Sequence, residues 1–315
     1  MELALMIEGQ EGVTWEQWVA LAHACEAHGI STLFRSDHYM NLSGTFPERG
    51  SLDAWGTLCA LGAVTSTLGL GTMVSPATFR HPSELARLVS TADLISGGRI
   101  ELGLGAGWHE REHAAHGFPF YGSNRERMDV MEEQLQIVLG SWAPGPFNFD
   151  GEHYTLVDLD ARPKPFQQPH PPLLMGGIAG PRGSRLAALY ADEYNTVYAT
   201  PAQARERAAN LAAAAEAVGR NRPLPLSVMT TTIIGADQAD LDARVAAVAG
   251  ARGVSAEELL ATANPAWVIG TVEQAAEQLN ALAEAGVSRV MCQHFAHTDV
   301  EFVRLLGRDL APRLA

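Results

Sequence analysis

Three short segments hold residue types that can do chemistry. Ser36-Asp37-His38-Tyr39 sets a carboxylate beside the one side chain that ordinarily titrates near neutrality, a pair suited to moving a proton or to holding a polar ring. Gly176-Gly177-Ile178-Ala179-Gly180-Pro181-Arg182 runs directly into a helical pattern. Glycines let backbone N–H groups approach an anion, a helix start adds its positive end, and Arg182 can add a charge-assisted bond. An ordinary tight turn is the alternative for this loop. The third segment, His109-Glu110-Arg111-Glu112-His113, has the spacing that sets two zinc-binding histidines one helical turn apart with a glutamate as base. Its context speaks against a metal. It follows Gly103-Leu104-Gly105-Ala106-Gly107-Trp108 at once, and Gly117-Phe118-Pro119 ends any helix soon afterwards. The expected metal complement is none.

Each of these segments follows a short apolar run, so strands must position them. Such runs at 3–7, 32–36, 70–73, 99–105, 173–176, 193–197, 227–234 and 289–293 alternate with longer amphipathic stretches. That is the signature of repeated βα units. Thr14-Trp15-Glu16-Gln17 is a capping-box pattern, followed by Trp18, Leu21 and Cys25 at helical spacing until Gly29. Further helices are predicted over 52–67 and 124–142. Another opens at Pro82, with a buried stripe of Leu85, Leu88, Ala92 and Ile95 and a stop at Gly97-Gly98. The segment 147–155 reads as an inserted hairpin. Eight strands without a dinucleotide fingerprint favour a closed parallel (β/α)₈ barrel over an open doubly wound sheet. The expected organisation is one domain, residues 1–315, with insertions in the loops at the carboxyl ends of the strands. Along 99–105, Ile100, Leu102 and Leu104 share one face and Glu101, Gly103 and Gly105 the other. The glycine face should leave room inside the mouth for something flat.

Composition bounds the partners. Twenty-two basic against 36 acidic residues give a net charge of −14, which excludes a nucleic-acid partner, since phosphate backbones need clustered cations. Lys164 is the only lysine. An anionic ligand must therefore be held by arginine or by backbone N–H groups. The N-terminal stretch lacks the basic flank of a secretory signal, and no apolar run is long enough to span a bilayer. Cys25, Cys59 and Cys292 are odd in number and set among apolar neighbours, as expected of free thiols in a reducing compartment. The expected location is cytoplasmic, without a membrane partner.

Taken in order, the strand ends resemble the luciferase-like monooxygenase superfamily, and within it the branch that uses the deazaflavin coenzyme F-420. The resemblance rests on Ser36–Tyr39, on the stretch from Gly71-Thr72-Met73-Val74-Ser75-Pro76 to Arg80-His81-Pro82, on Gly103–Trp108 and on Gly176–Arg182. It continues through Ala161-Arg162-Pro163-Lys164-Pro165, Pro169-His170-Pro171-Pro172, Ala191-Asp192-Glu193-Tyr194-Asn195 and Gly270-Thr271. It implies hydride transfer between F-420 (8-hydroxy-5-deazaflavin) and a small organic substrate, a homodimer, and a separate reductase that regenerates the reduced cofactor. An FMN-dependent two-component monooxygenase and a non-catalytic flavin-binding barrel are the alternatives. The resemblance also implies a cis peptide at Met73–Val74. The implied cofactor contacts are Asp37, His38, Met73, Val74, Gly105, Ala106, Gly107, Trp108, Gly176, Gly177, Ile178, Ala179, Gly180 and Arg182. His38 is the expected proton donor, Asp37 either orients it or hydrogen-bonds the ring, and His109 and Glu110 are the fallback acids. Sugar-phosphate dehydrogenases of this branch carry a catalytic glutamate where this chain has Trp108, so neither that substrate nor that acid is expected. Met40, Leu42, Phe46, Trp108 and Phe118 point to an apolar substrate instead.

Overall fold

The computed structural model describes residues 1–42 and 44–314. Eight parallel strands close on themselves: β1 (Glu2–Ile7), β2 (Thr32–Arg35), β3 (Gly69–Thr72), β4 (Ile100–Gly105), β5 (Leu173–Gly176), β6 (Glu193–Val197), β7 (Leu226–Gly235) and β8 (Val287–His294). Each pairs with the next, and β8 returns to β1 in the register Glu2 with Arg289 through Ile7 with His294. Two short strands extend the ten-stranded sheet: Ser75–Pro76 beside the end of β4, and Val268–Thr271 beside the end of β7. The last of these was not foreseen. The expected hairpin forms an antiparallel pair, Phe147–Asp150 with Thr155–Leu159.

The helices are α1 (Trp15–His28), α2 (Ala54–Val64), α3 (Pro82–Ser96), α4 (Glu110–His116), α5 (Asn124–Trp142), α6 (Pro181–Tyr190), α7 (Pro201–Ala217), α8 (Gln238–Arg252), α9 (Ala256–Ala261) and α10 (Val272–Glu284), followed by a short helical C-terminus. Local sequence sets their ends. Thr14 and Gln17 make the reciprocal capping box of α1, and Gly29 closes it at φ 78°. Pro82 opens α3 after His81, and Gly97 closes it at φ 71°. The buried stripe of α3 differs from the expected one. Leu85 and Ala92 are buried, but Ala86, Val89 and Asp93 share their face, and Ile95 is exposed. Asp93 accepts hydrogen bonds from the backbone N–H and the amide of Gln167 at 2.9 and 2.7 Å. A partnered carboxylate can sit on the core face, and an apolar-only stripe misreads the rotation of the helix.

The main core lies between barrel and helices. Ile100, Leu102 and Leu104 point into it, as the alternation along β4 requires. Inside the barrel a second cluster joins Ala4, Met6, Phe34, Met73, Leu174, Met229 and Met291. Beneath it Arg289 donates to Glu101 at 2.7–2.9 Å and to Glu193 at 2.8 Å, closing the amino-terminal end with a buried ion cluster. The glycine face of β4 serves the expected end only in part. A Cβ on Gly103 would lie 2.1 Å from the Thr72 carbonyl and 2.9 Å from Val74, and one on Gly105 2.7 Å from Val74. The space beside Gly103 is filled by β3 and Val74, whereas Gly105 borders the open mouth of the barrel next to Val74. The Met73–Val74 peptide is cis, as are Arg162–Pro163 and Gln168–Pro169. Cys25 and Cys292 are buried free thiols and Cys59 is a half-buried one. No helix among the described residues is long and apolar enough to cross a membrane.

Candidate active site

A cavity of about 1250 Å³ opens at the carboxyl ends of the strands, where barrel enzymes place their sites because eight independent loops converge there. Twelve of the sequence-predicted contacts line it: His38, Met73, Val74, Gly105, Ala106, Gly107, Trp108, Gly176, Gly177, Ile178, Gly180 and Arg182. Met73 and Val74 contribute to the lining beside the glycines of β4 and β5. Trp108 and Ile178 line it while still largely in solvent, 63% and 76% exposed.

Asp37 and Ala179 do not line it. The Asp37 carboxylate is buried and accepts from Ser75 Oγ at 2.6 Å and from Arg80 at 2.6 and 3.2 Å. It neither orients His38 nor faces the cavity, because Arg80 lies on its other side and claims both oxygens. Ala179 is buried at φ 53°, its N–H donating to the Tyr194 hydroxyl at 2.9 Å. Of the expected apolar lining, Leu42, Phe46 and Trp108 are present. Phe118 instead stacks on His116 and Phe79, and Met40 pairs with Gly50.

The partner of His38 is Glu112. Its Nδ1 lies 2.7 Å from Glu112 Oε2, and the Glu112 side chain is fully buried. Glu112 also accepts the backbone N–H groups of Tyr39 at 2.5 Å and Met40 at 3.3 Å. Burial works against a charged imidazole, but the hydrogen bond and negative charge of Glu112 outweigh it, and His38 is held above its ordinary pKa. Burial likewise disfavours the carboxylate, yet His38 and the two N–H groups hold Glu112 below its ordinary value. The pair is therefore an imidazole–carboxylate couple in which Glu112 favours the protonated ring, and His38 Nε2 makes no hydrogen bond among the described residues. His109 stands beside it, 6.4 Å between ring centroids, pushed down chiefly by burial and with a buried, unpartnered Nε2.

The H-E-x-x-H spacing does not assemble two metal ligands. His113 spends Nε2 on Thr78 Oγ at 2.6 Å and Nδ1 on the His109 carbonyl at 2.8 Å. No cluster of three or more potential metal ligands occurs among the described residues. The helix α4 is only 7 residues long and closes at Gly117. What it contributes is Glu112, a residue inside the motif that the motif itself does not mark.

Sequence reading also missed a polar chain across the mouth. Ser36 donates to Gln10 at 2.5 Å, Gln10 to Glu8 at 2.8 Å, Gln293 to the other Glu8 oxygen at 2.6 Å, and Tyr198 to Gln293 at 2.9 Å. Glu8 follows β1 and Tyr198 follows β6, and Gln293 is the penultimate residue of β8. Their places at strand ends were the available signal.

On the facing wall the loop after β5 enters α6 at Gly180 and Pro181 with no side-chain cap. The Arg182 guanidinium is turned to α5, donating to Asp129 at 2.6 Å and Glu132 at 3.0 Å. Arg125, also in the lining, makes no side-chain hydrogen bond or ion pair among the described residues.

The sequence matches the luciferase-like monooxygenase family over residues 3–289. It is 30% identical over 279 residues to the FMNH(2)-dependent dimethylsulfone monooxygenase of Pseudomonas putida, covering 80% of this chain and 76% of that protein. It is 30% identical over 212 residues to the F-420-dependent hydroxymycolic acid dehydrogenase of Mycobacterium tuberculosis, covering 65% and 55%. The chain spans 66% of the length of the first mycobacterial relatives it matches. In fold it superposes on an F-420-dependent secondary alcohol dehydrogenase solved with an F-420–acetone adduct, at a TM-score of 0.82, 19% identity and full coverage of both chains. The chain belongs to the luciferase-like monooxygenase family.

Proposed function

We propose that the chain is an oxidoreductase that takes a flavin-type cofactor in this cavity, the deazaflavin F-420 in preference to FMN, and reduces or oxidises a small organic substrate. The observation that carries the reading is the His38–Glu112 couple on the cavity wall. Relatives of both cofactor types exist, so the preference rests on the strand-end motifs and on this acid, which suits a carbonyl–alcohol interconversion.

The residues present fit such a group. The cavity exceeds the roughly 300–1,000 Å³ of an ordinary ligand pocket, leaving room for a tricyclic ring and a substrate together. Its wall at β4 and β5 is glycine backbone and Val74, which a planar ring can approach. The uncapped start of α6 offers N–H groups and a positive helix end to a phosphate, and Arg125 can add a charge. Arg182, already held by two carboxylates, contributes mainly by fixing α6 against α5. When bound, F-420 supplies a two-electron carrier that gives or takes hydride. The chain does the rest. His38 Nε2 presents a proton to a substrate oxygen, Glu112 favours the charged imidazole, and Trp108 and Ile178 offer apolar surface at the mouth to ring or substrate. A homodimer and a separate reductase are part of the same proposal, carried over from the family.

Titration calorimetry of purified protein with F-420 and with FMN tests the cofactor. Tight F-420 binding with weak FMN binding is expected; the reverse overturns the preference. His38→Gln should keep cofactor affinity and lose about 10²–10⁴-fold in turnover, the usual worth of a general acid. Unchanged turnover would remove His38 from the chemistry.

A further inference from the structure

Across the mouth from the end of β4 stands a cation without a carboxylate partner. Arg252, the last residue of α8, lines the cavity. Its guanidinium lies 5.0 Å from the Trp267 ring centroid and 5.1 Å from that of Phe295, both also in the lining. The guanidinium makes no hydrogen bond or ion pair among the described residues. Arg252 is exposed and its charge solvated, yet a guanidinium set between two aromatic faces and free of a carboxylate is positioned to take an anionic group. Of the acids in the same lining, Glu11 pairs with Arg49 and Asn41, and Glu8 accepts from the amides of Gln10 and Gln293. A cation at a helix end can serve the helix dipole, but this side chain is directed to the rings of Trp267 and Phe295.

We infer that Arg252, Trp267 and Phe295 form a carboxylate subsite for the substrate. The class of substrate is then a small organic acid whose apolar body lies along Leu42 and Phe46. The loop carrying those two residues is fixed to the end of α8, because Arg49 donates to the Ala251 carbonyl at 2.8 Å. The carboxylate would be held at one end of the cavity while the carbon to be oxidised or reduced reaches toward His38, just after β2, two strands round from β8. This refines the apolar substrate expected from composition, and it rests on the reading of the cavity as the substrate site.

The test uses 3-phenylpropionate and its neutral amide, 3-phenylpropanamide, as probes, with binding followed by calorimetry on the full chain without cofactor. The acid should bind wild type about tenfold more tightly than the amide, as one charge-assisted contact implies. Arg252→Gln should abolish the difference and Arg252→Lys should keep part of it, both with unaltered thermal melts and unaltered F-420 affinity. Equal affinity of acid and amide for wild type, absence of binding by either at millimolar concentration, or a preference that survives in Arg252→Gln overturns the assignment. So does a loss of F-420 affinity in Arg252→Gln with the acid preference intact, which would give the arginine to the anionic tail of the cofactor. Because the probes are titrated without cofactor, failure of F-420 to bind would sink the cofactor reading and leave this result standing.

Discussion

Replacing Glu112 by Gln changes one oxygen to an amide and should move the acidity of His38 without touching the cavity lining. The Gln carbonyl can still accept from the N–H groups of Tyr39 and Met40, which Glu112 Oε1 now accepts at 2.5 and 3.3 Å. Its NH₂ then faces His38 Nδ1, which sits 2.7 Å from the present carboxylate oxygen. Two donors cannot face each other, so the imidazole must become neutral with its proton on Nε2. The raising influence of Glu112 disappears and the lowering effect of burial remains. A hydrogen bond to a charged group is worth about 1.5–3 kcal/mol, or roughly one to two pKa units. In wild type the proton is retained until pH rises through a value above the ordinary 6.5. The alkaline limb of turnover should therefore move down by about one to two units in Glu112→Gln, with turnover at pH 8 lower by roughly 10–100-fold. His38 titration by NMR on isotopically labelled protein reads the same shift without cofactor, and a thermal melt checks the fold. An unmoved His38 titration in a folded variant would refute the couple.

Arg182→Ala should weaken cofactor binding by less than about tenfold, since its guanidinium is already matched by Asp129 and Glu132; a loss of a hundredfold or more by calorimetry would show that it reaches the ligand. Arg289→Met strands Glu101 and Glu193 in the barrel floor. A denaturant titration should show about 3–5 kcal/mol of lost stability, and wild-type stability would contradict the ion cluster. Burial pushes His294, stacked on Phe302 with centroids 4.0 Å apart, down to about 3. Its folded pKa lies below the unfolded one, so wild type should lose stability as pH falls from about 6.5 toward 3, by up to about 1.4 kcal/mol per pH unit. His294→Leu should flatten that slope in melts across pH 4–7, and an unchanged slope would refute the assignment.

How much was legible follows from how far each feature reaches along the chain. The barrel, its eight strands and the caps of α1 and α3 depend on neighbours a few residues apart, and periodicity records them. The strand-end rule then located most of the cavity, because a closed parallel barrel sends every strand's carboxyl end to one mouth. The rule was applied unevenly, which is why Glu8, Tyr198 and Gln293 went unnoticed. Other features have no local signature. Whether Asp37 serves His38 or Arg80 is decided by a contact 43 residues away, and the partner of His38 lies 74 residues on. The Arg182 charge is cancelled by α5, 50 and 53 residues before it. Sequence alone determined which backbone ends meet at the mouth. Only the tertiary structure decided which charges there are already paired and which remain for a ligand, because pairing is fixed by packing between elements that the chain joins only at long range.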